Sequence, residues 1–285
     1  MIRYSCAEYT FPLLPRAERL ALLRMLGFEY VDIGLFERSS DLKPSQFAAD
    51  PGGFTQQLKS DLSSARLRAS DVFLQIGLDP TVSSANDPMR KVRVRNRTSF
   101  MQALDLCNAL GCTHLTGLPG VRHAGSSEAG DLAFACEEAA WRALTASHAG
   151  VTYAVEAHIG SLLTDVSSTC RFVEAVPGLS LTLDYGHFVS ENTPSREVHS
   201  LLPFASHVHV RGGAPGQLQA RLAENKIDFK GMIRRLKKRE SDIFLALEYV
   251  WTDWRHCNRT DNVSETILLR RFLENIEEES LNDTK

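Results

Sequence analysis

The chain has 285 residues, 43% of them apolar and 24% charged, a balance that fits a folded domain with a large core and excludes a disordered or low-complexity chain. Its formal net charge of −3 offers none of the basic surface that nucleic acid or an anionic membrane calls for. No apolar run approaches the roughly 18 residues of a membrane span, MIRYSCAEYTF at the start carries no apolar signal-peptide core, and the 6 cysteines form no C-x-x-C pair, so the expected setting is the reducing cytoplasm.

Short β-rich runs alternate with longer amphipathic ones from end to end. The expected strands are IRYSC (2–6), YVDIG (30–34), VFLQI (72–76), THLTG (113–117), TYAVEAH (152–158), LSLTLD (179–184), HVHVR (207–211) and IFLALEYV (243–250). Helical periodicity recurs between them: Phe100, Ala103, Leu104 and Cys107; Leu132, Ala135, Cys136 and Ala139; Phe229, Met232, Ile233 and Leu236; Leu269, Phe272, Leu273 and Ile276. Each set follows the i, i+3, i+4, i+7 spacing of one buried face. Asn262 is the expected cap of the last helix, with Glu265 at its third position.

Strand–helix alternation implies parallel strands with crossover helices. Eight units in a chain of this size predict a single-domain (β/α)8 TIM barrel over residues 1–276, followed by a polar tail at 277–285. The competing arrangement is an open doubly wound sheet. Connections leaving helices are short and those leaving strands are long, which gathers the loops at the strand C-terminal ends, where a barrel keeps its working surface. No G-x-G-x-x-G or G-x-x-x-x-G-K-[ST] cradle follows any strand.

Side-chain alternation then separates two faces. Tyr153 and Val155, Leu181 and Leu183, Val208 and Val210, and Leu245 and Leu247 form a large apolar set suited to the helices. The opposite set is small or ionisable: Ala154, Glu156 and His158; Thr182 and Asp184; His207, His209 and Arg211; Ala246 and Glu248. A lone carboxylate at a strand end is more often a cap or ion-pair partner, and a lone strand histidine a hydrogen-bonded core residue. Glu156, Asp184, His209 and Glu248, on four consecutive strands with matching parity, can instead meet around one ion, since neighbouring strands lie about 4.8 Å apart. Three carboxylates packed without a cation would repel and resist burial. Oxygen-rich ligation with one imidazole suits Mn2+ first, with Mg2+, Co2+ or Zn2+ also compatible, and does not suit a thiolate-bound zinc.

The stretches VEAHIGS (155–161), LDYGH (183–187), HVHVR (207–211) and LEYV (247–250) resemble the xylose isomerase-like TIM-barrel superfamily, which includes sugar isomerases, epimerases and endonuclease IV-type nucleases. That resemblance implies one divalent ion on Glu156, Asp184, His209 and Glu248, with substrate contacts from His187 and Arg211. His158 and Trp251 are further expected substrate contacts. With a keto-sugar held at such an ion, Glu156 and Glu248 would act as the catalytic pair, moving a proton beside a carbonyl through an enediolate. Return on the opposite face gives epimerisation; return to the adjacent carbon gives isomerisation.

The chain departs from relatives in the superfamily at several points. Ketohexose 3-epimerases typically carry a second Glu six residues after the strand-5 ligand and an Arg six after the metal His, where this chain has Leu162 and Pro215. Endonuclease IV-type enzymes add histidines on strands 3 and 4, where this chain reads DVFLQIG and LPG. The expected activity is therefore a sugar or polyol isomerase or epimerase. A keto-sugar or cyclic-polyol lyase or dehydratase is the alternative, with an abasic-site nuclease or a non-catalytic sugar-binding barrel behind it. The expected partner is a small sugar or polyol, with neither nucleic acid nor membrane, and a homo-oligomer is left open. His114 reads as a lumen-filling residue and His123 as an exposed loop residue within reach of the mouth. Trp251 and Trp254 read as a sugar-facing wall or a dimer contact, and the basic run Arg234, Arg235, Lys237, Lys238 and Arg239 as a solvated helix face.

Overall fold

A computed structural model describes residues 1–282. All eight expected strands form: β1 (Ile2–Ala7), β2 (Tyr30–Phe36), β3 (Arg68–Gln75), β4 (His114–Gly117), β5 (Thr152–Glu156), β6 (Ser180–Asp184), β7 (Ala205–Val210) and β8 (Ile243–Leu247). They pair in chain order, every pair parallel, and β8 closes on β1 from Ile2↔Ile243 to Cys6↔Leu247. The open-sheet alternative is thereby excluded. Among the described residues, ten α-helices accompany the barrel: α1 (Arg16–Met25), α2 (Pro44–Ala49), α3 (Pro51–Ala65), α4 (Arg90–Leu110), α5 (Glu128–His148), α6 (Val166–Ala175), α7 (Tyr185–Val189), α8 (Ser195–Val198), α9 (Phe229–Leu236) and α10 (Asn262–Asn282). None of the described helices is long and apolar enough to cross a membrane.

The apolar strand set faces the helices as expected. Tyr153, Val155, Leu181, Leu183, Val208, Val210, Leu245 and Leu247 belong to the main apolar core, and Phe100 of α4 packs edge-on to Tyr153 at 5.1 Å between ring centres. The expected faces of α4 and α9 are buried. On α5 the register differs at one end: Leu132 is exposed, while Asp131, Ala135, Glu138 and Ala139 face inward. The start of α10 also differs. Asp261 caps it, its Oδ1 accepting the Ser264 N–H at 2.9 Å. Asn262 instead donates to the Thr10 and Tyr249 carbonyls, tying the loops after β1 and β8 together. Helix α10 continues to Asn282, into the segment read as a tail; residues 283–285 lie outside the described residues.

Two β-bulges interrupt the ladder. Pairing passes from Val31↔Ala69 to Asp32↔Asp71, which leaves Ser70 without a partner, and from Leu181↔Ala205 to Thr182↔His207, which leaves Ser206. An extra residue in one strand re-aims its neighbours. Here each bulge delivers a serine hydroxyl to the polar lumen: Ser70 Oγ donates to Asp32 Oδ1 at 2.6 Å, and Ser206 Oγ lies 2.8 Å from His114 Nε2.

Candidate metal centre

Glu156 and Asp184 end β5 and β6, His209 lies near the end of β7, and Glu248 follows β8 directly, its N–H donating to the Val210 carbonyl at 3.0 Å. That bond extends the ladder one residue past the strand and keeps the Glu248 side chain on the lumen face. All four are buried. His209 Nδ1 lies 2.7 Å from Glu156 Oε1 and 3.5 Å from Glu248 Oε1. Glu156, His209 and Glu248 each present a ligand atom within 4.8 Å of the others, as do Glu156, Asp184 and His187. The four expected ligands, joined by His187, thus fall into two overlapping triplets that share Glu156. Between the triplets, the Arg211 guanidinium pairs with Asp184 Oδ2 and lies 3.4 Å from Glu248 Oε2.

Local sequence explains the LDYGH geometry. Asp184 Oδ1 caps α7 by accepting the Gly186 N–H at 2.7 Å. A Cβ on Gly186 would come within 2.8 Å of the Leu218 carbonyl oxygen. The resulting tight turn brings His187 Nε2 to 3.6 Å from Asp184 Oδ2 and 3.3 Å from Arg211 Nη2. His158 sits beyond β5, its ring 6.1 Å from that of His187, with Nδ1 facing the Ile159 carbonyl and Nε2 buried without a partner.

The electrostatics divide the acids. Burial pushes Glu156 up to about 7, with Glu248 and Asp184 adding to the rise against the pull of His209. Asp184, equally buried, is held below its ordinary value because Arg211, then His187 and His209, more than offset the desolvation. His187 is driven down to about 3, mainly by burial, and burial lowers His158 as well. His209 is held well above its ordinary range: Glu248, Asp32 and Glu156 outweigh the burial that would lower it.

The donor set fits a divalent ion. Three carboxylates meet two cationic side chains with little exposure, and Glu248 Oε2 has no hydrogen-bond partner. Oxygen-rich donors of this kind prefer hard or borderline divalent cations.

Sequence reasoning missed Tyr9 beside the centre, and Asp32 and Asp71 beneath it. Tyr9, just after β1, donates its hydroxyl to Glu248 Oε1 at 2.9 Å. Deeper in the lumen, Asp32, Asp71 and His207 group with His209, each offering a ligand atom within 4.8 Å of the rest. Their signal was the polar character of Asp32 and Asp71 within otherwise apolar strands. His114 fills the lumen as expected, with Nδ1 2.7 Å from Asp71 Oδ1. His123, half-buried rather than exposed, bridges Ser84 Oγ at 2.9 Å and Asp131 Oδ1 at 3.0 Å, pinning the loops after β3 and β4 together. Of the two tryptophans, Trp254 lies 6.2 Å from His187 between ring centres, whereas Trp251 lines an outer groove with Phe11, Leu13 and Val263. Part of the basic run is anchored: Lys237 and Arg239 donate to the Glu277 and Leu202 carbonyls.

A closed eight-stranded parallel barrel with ionisable side chains gathered at the strand C-terminal ends defines the TIM-barrel class. Within that class the chain belongs to the xylose isomerase-like TIM barrel family, whose model matches residues 20–274. No curated protein matches the chain. Among solved structures, D-psicose 3-epimerase from Clostridium cellulolyticum H10, determined with D-tagatose, is similar at TM-score 0.71 and 14% identity, covering 96% of this chain and 99% of that one. The probable 3-DHS dehydratase AsbF from Bacillus anthracis is similar at TM-score 0.67 and 14% identity, covering 94% and 98%. An AP endonuclease, family 2, from Brucella melitensis gives 0.71 and 18%, covering 93% and 96%. At these identities the likeness establishes the fold, and three chemistries share it.

Proposed function

We propose that the protein is a divalent-metal-dependent isomerase or epimerase of a sugar or polyol-derived carbonyl compound. Glu156, Asp184, His209 and Glu248 are the ion ligands, with Mn2+ the first candidate, and Glu156 and Glu248 move the proton. One observation carries this reading: glutamates from β5 and β8 both approach the same nitrogen of His209. A bound divalent ion would polarise a carbonyl oxygen and favour negative charge developing on it. Burial pushes the Glu156 carboxyl up to about 7 in the ion-free site; a bound cation would lower it and leave a carboxylate to accept the proton. Tyr9 fixes the Glu248 carboxylate through Oε1. His158 and His187, held neutral by burial, and Arg211 orient polyol hydroxyls, and Trp254 walls the mouth beside His187. Free thiols at all the cysteines suit a reducing cytoplasm.

The test is incubation of the metal-loaded protein with a panel of keto-sugars in heavy water. Deuterium should enter recovered substrate or its isomer, and Glu156→Gln should lower that exchange by about a hundredfold or more, the usual scale for loss of a general base. Accumulation of an eliminated product would identify a dehydratase, and nicking of abasic duplex a nuclease. Tight metal binding without exchange on any substrate would leave a sugar-binding barrel.

A further inference from the structure

Beneath the proposed centre, Asp32 sits in the barrel lumen with four polar side chains converging on its carboxylate. Ser5 Oγ and Ser70 Oγ donate to Oδ1 at 3.1 and 2.6 Å. His207 Nε2 lies 2.7 Å from Oδ2, and His209 Nε2 faces the same oxygen at 3.5 Å. Asp32 and both histidines are almost wholly buried, and His209 Nε2 has no hydrogen-bond partner in its own right. The arrangement is constructed rather than incidental, because Ser70 reaches Asp32 only through the bulge at Val31/Asp32.

An imidazole that gives one nitrogen to an ion must, when neutral, carry its proton on the other. His209 Nδ1 points to Glu156 and Glu248, so the proton belongs on Nε2, and Asp32 Oδ2 is the acceptor it faces. We propose that Asp32, clamped by Ser5, Ser70 and His207, is a positioning residue that fixes the ring and tautomer of His209 for metal binding. This inference rests on the metal reading above and deepens it. Carboxylate–histidine–metal relays of this form raise ligand basicity, and breaking one costs about tenfold to a hundredfold in metal affinity.

The test compares wild type with Asp32→Asn and Asp71→Asn, the second acting on the neighbouring Asp71–His114 pair. Each protein is stripped with chelator, checked for folding by thermal melt, titrated with Mn2+ and with Co2+, and examined by 15N NMR of its histidines. Asp32→Asn should bind the ion about tenfold to a hundredfold more weakly and alter the His209 nitrogen shifts of the loaded protein. Asp71→Asn, which leaves the Asp32–His209 contact in place, should lower the melting temperature and weaken affinity much less than Asp32→Asn. Ser70→Ala, a milder cut at the same clamp, should fall between. Equal losses in both Asp variants would reduce Asp32 to a structural role, and unchanged affinity in Asp32→Asn would overturn the proposal. Two ions per chain would also overturn it, by making Nε2 a ligand within the lower Asp32, Asp71 and His207 group. Failure of the wild type to bind any ion would instead remove the metal reading, and the relay with it.

Discussion

Tyr9 shows how closely a single side chain can govern the centre. Its hydroxyl donates to Glu248 Oε1, and its ring stands edge-on to Phe36 at 4.8 Å between centres. Gly34 makes room for both: a Cβ there would lie 2.5 Å from Tyr9 Cδ1 and 2.7 Å from Phe36 Cε2. Tyr9→Phe keeps the packing and removes one hydrogen bond to a charged group, an effect on the order of 1.5–3 kcal/mol. Exchange activity is expected to fall about tenfold or more with little change in melting temperature; full activity in this variant would release Glu248 from dependence on Tyr9. Gly34→Ala is expected to overpack the pair at a cost of about 1–3 kcal/mol, read by denaturant unfolding. Strand parity exposed Glu248 in the sequence because it continues a two-residue rhythm. Tyr9 lies in a short 3-10 turn after β1, where no periodicity announces the direction of a side chain.

Among the elements, all eight strands and the buried faces of α4 and α9 were legible, since period 2 and period 3.6 record burial directly. The bulges were not, because one inserted residue reverses parity from that point on and leaves no mark in composition. Ser70 and Asp71 were lost for a second reason: they precede the apolar run VFLQI that announced the third strand, yet β3 begins at Arg68. Asn262 and Asp261 are both competent caps, and Asn262 is withdrawn from capping by contacts to Thr10 and Tyr249 that are distant in sequence. The loop after β7 carries its own test. Gly212 follows Arg211, its N–H donates to the Tyr249 hydroxyl at 3.0 Å, and a Cβ would lie 2.4 Å from the Ala220 carbonyl oxygen. Backbone cannot yield as a side-chain tip can, so Gly212→Ala is expected to destabilise the protein by about 1–3 kcal/mol. The displaced loop should also weaken the hold of Arg211 on Asp184, measurable as an altered metal affinity.

For the molecule as a whole, closure of the barrel was implied by unit count and loop lengths, and the family match and the closed sheet agree with it. Stability should respond to pH through Glu8, which is buried where it accepts the Gly34 N–H at 3.3 Å and pairs with Arg19 at 2.7 Å. Burial, the largest influence, raises its carboxyl from 4.5 to about 7 despite Arg19. The folded state therefore binds a proton that the unfolded state releases, so this contribution is complete below about pH 4.5 and is lost as pH rises through about 7. Glu8→Gln should flatten the fall in melting temperature over that window, an effect on the order of 3 kcal/mol; an unchanged slope would show that Glu8 stays ionised. The central claim is that acids and an imidazole from β5 to β8 grip one ion, and metal content measures it most directly. Elemental analysis of the purified protein should give one divalent ion per wild-type chain and markedly less in folded Glu248→Gln and Asp184→Asn; full occupancy in both variants would contradict the site.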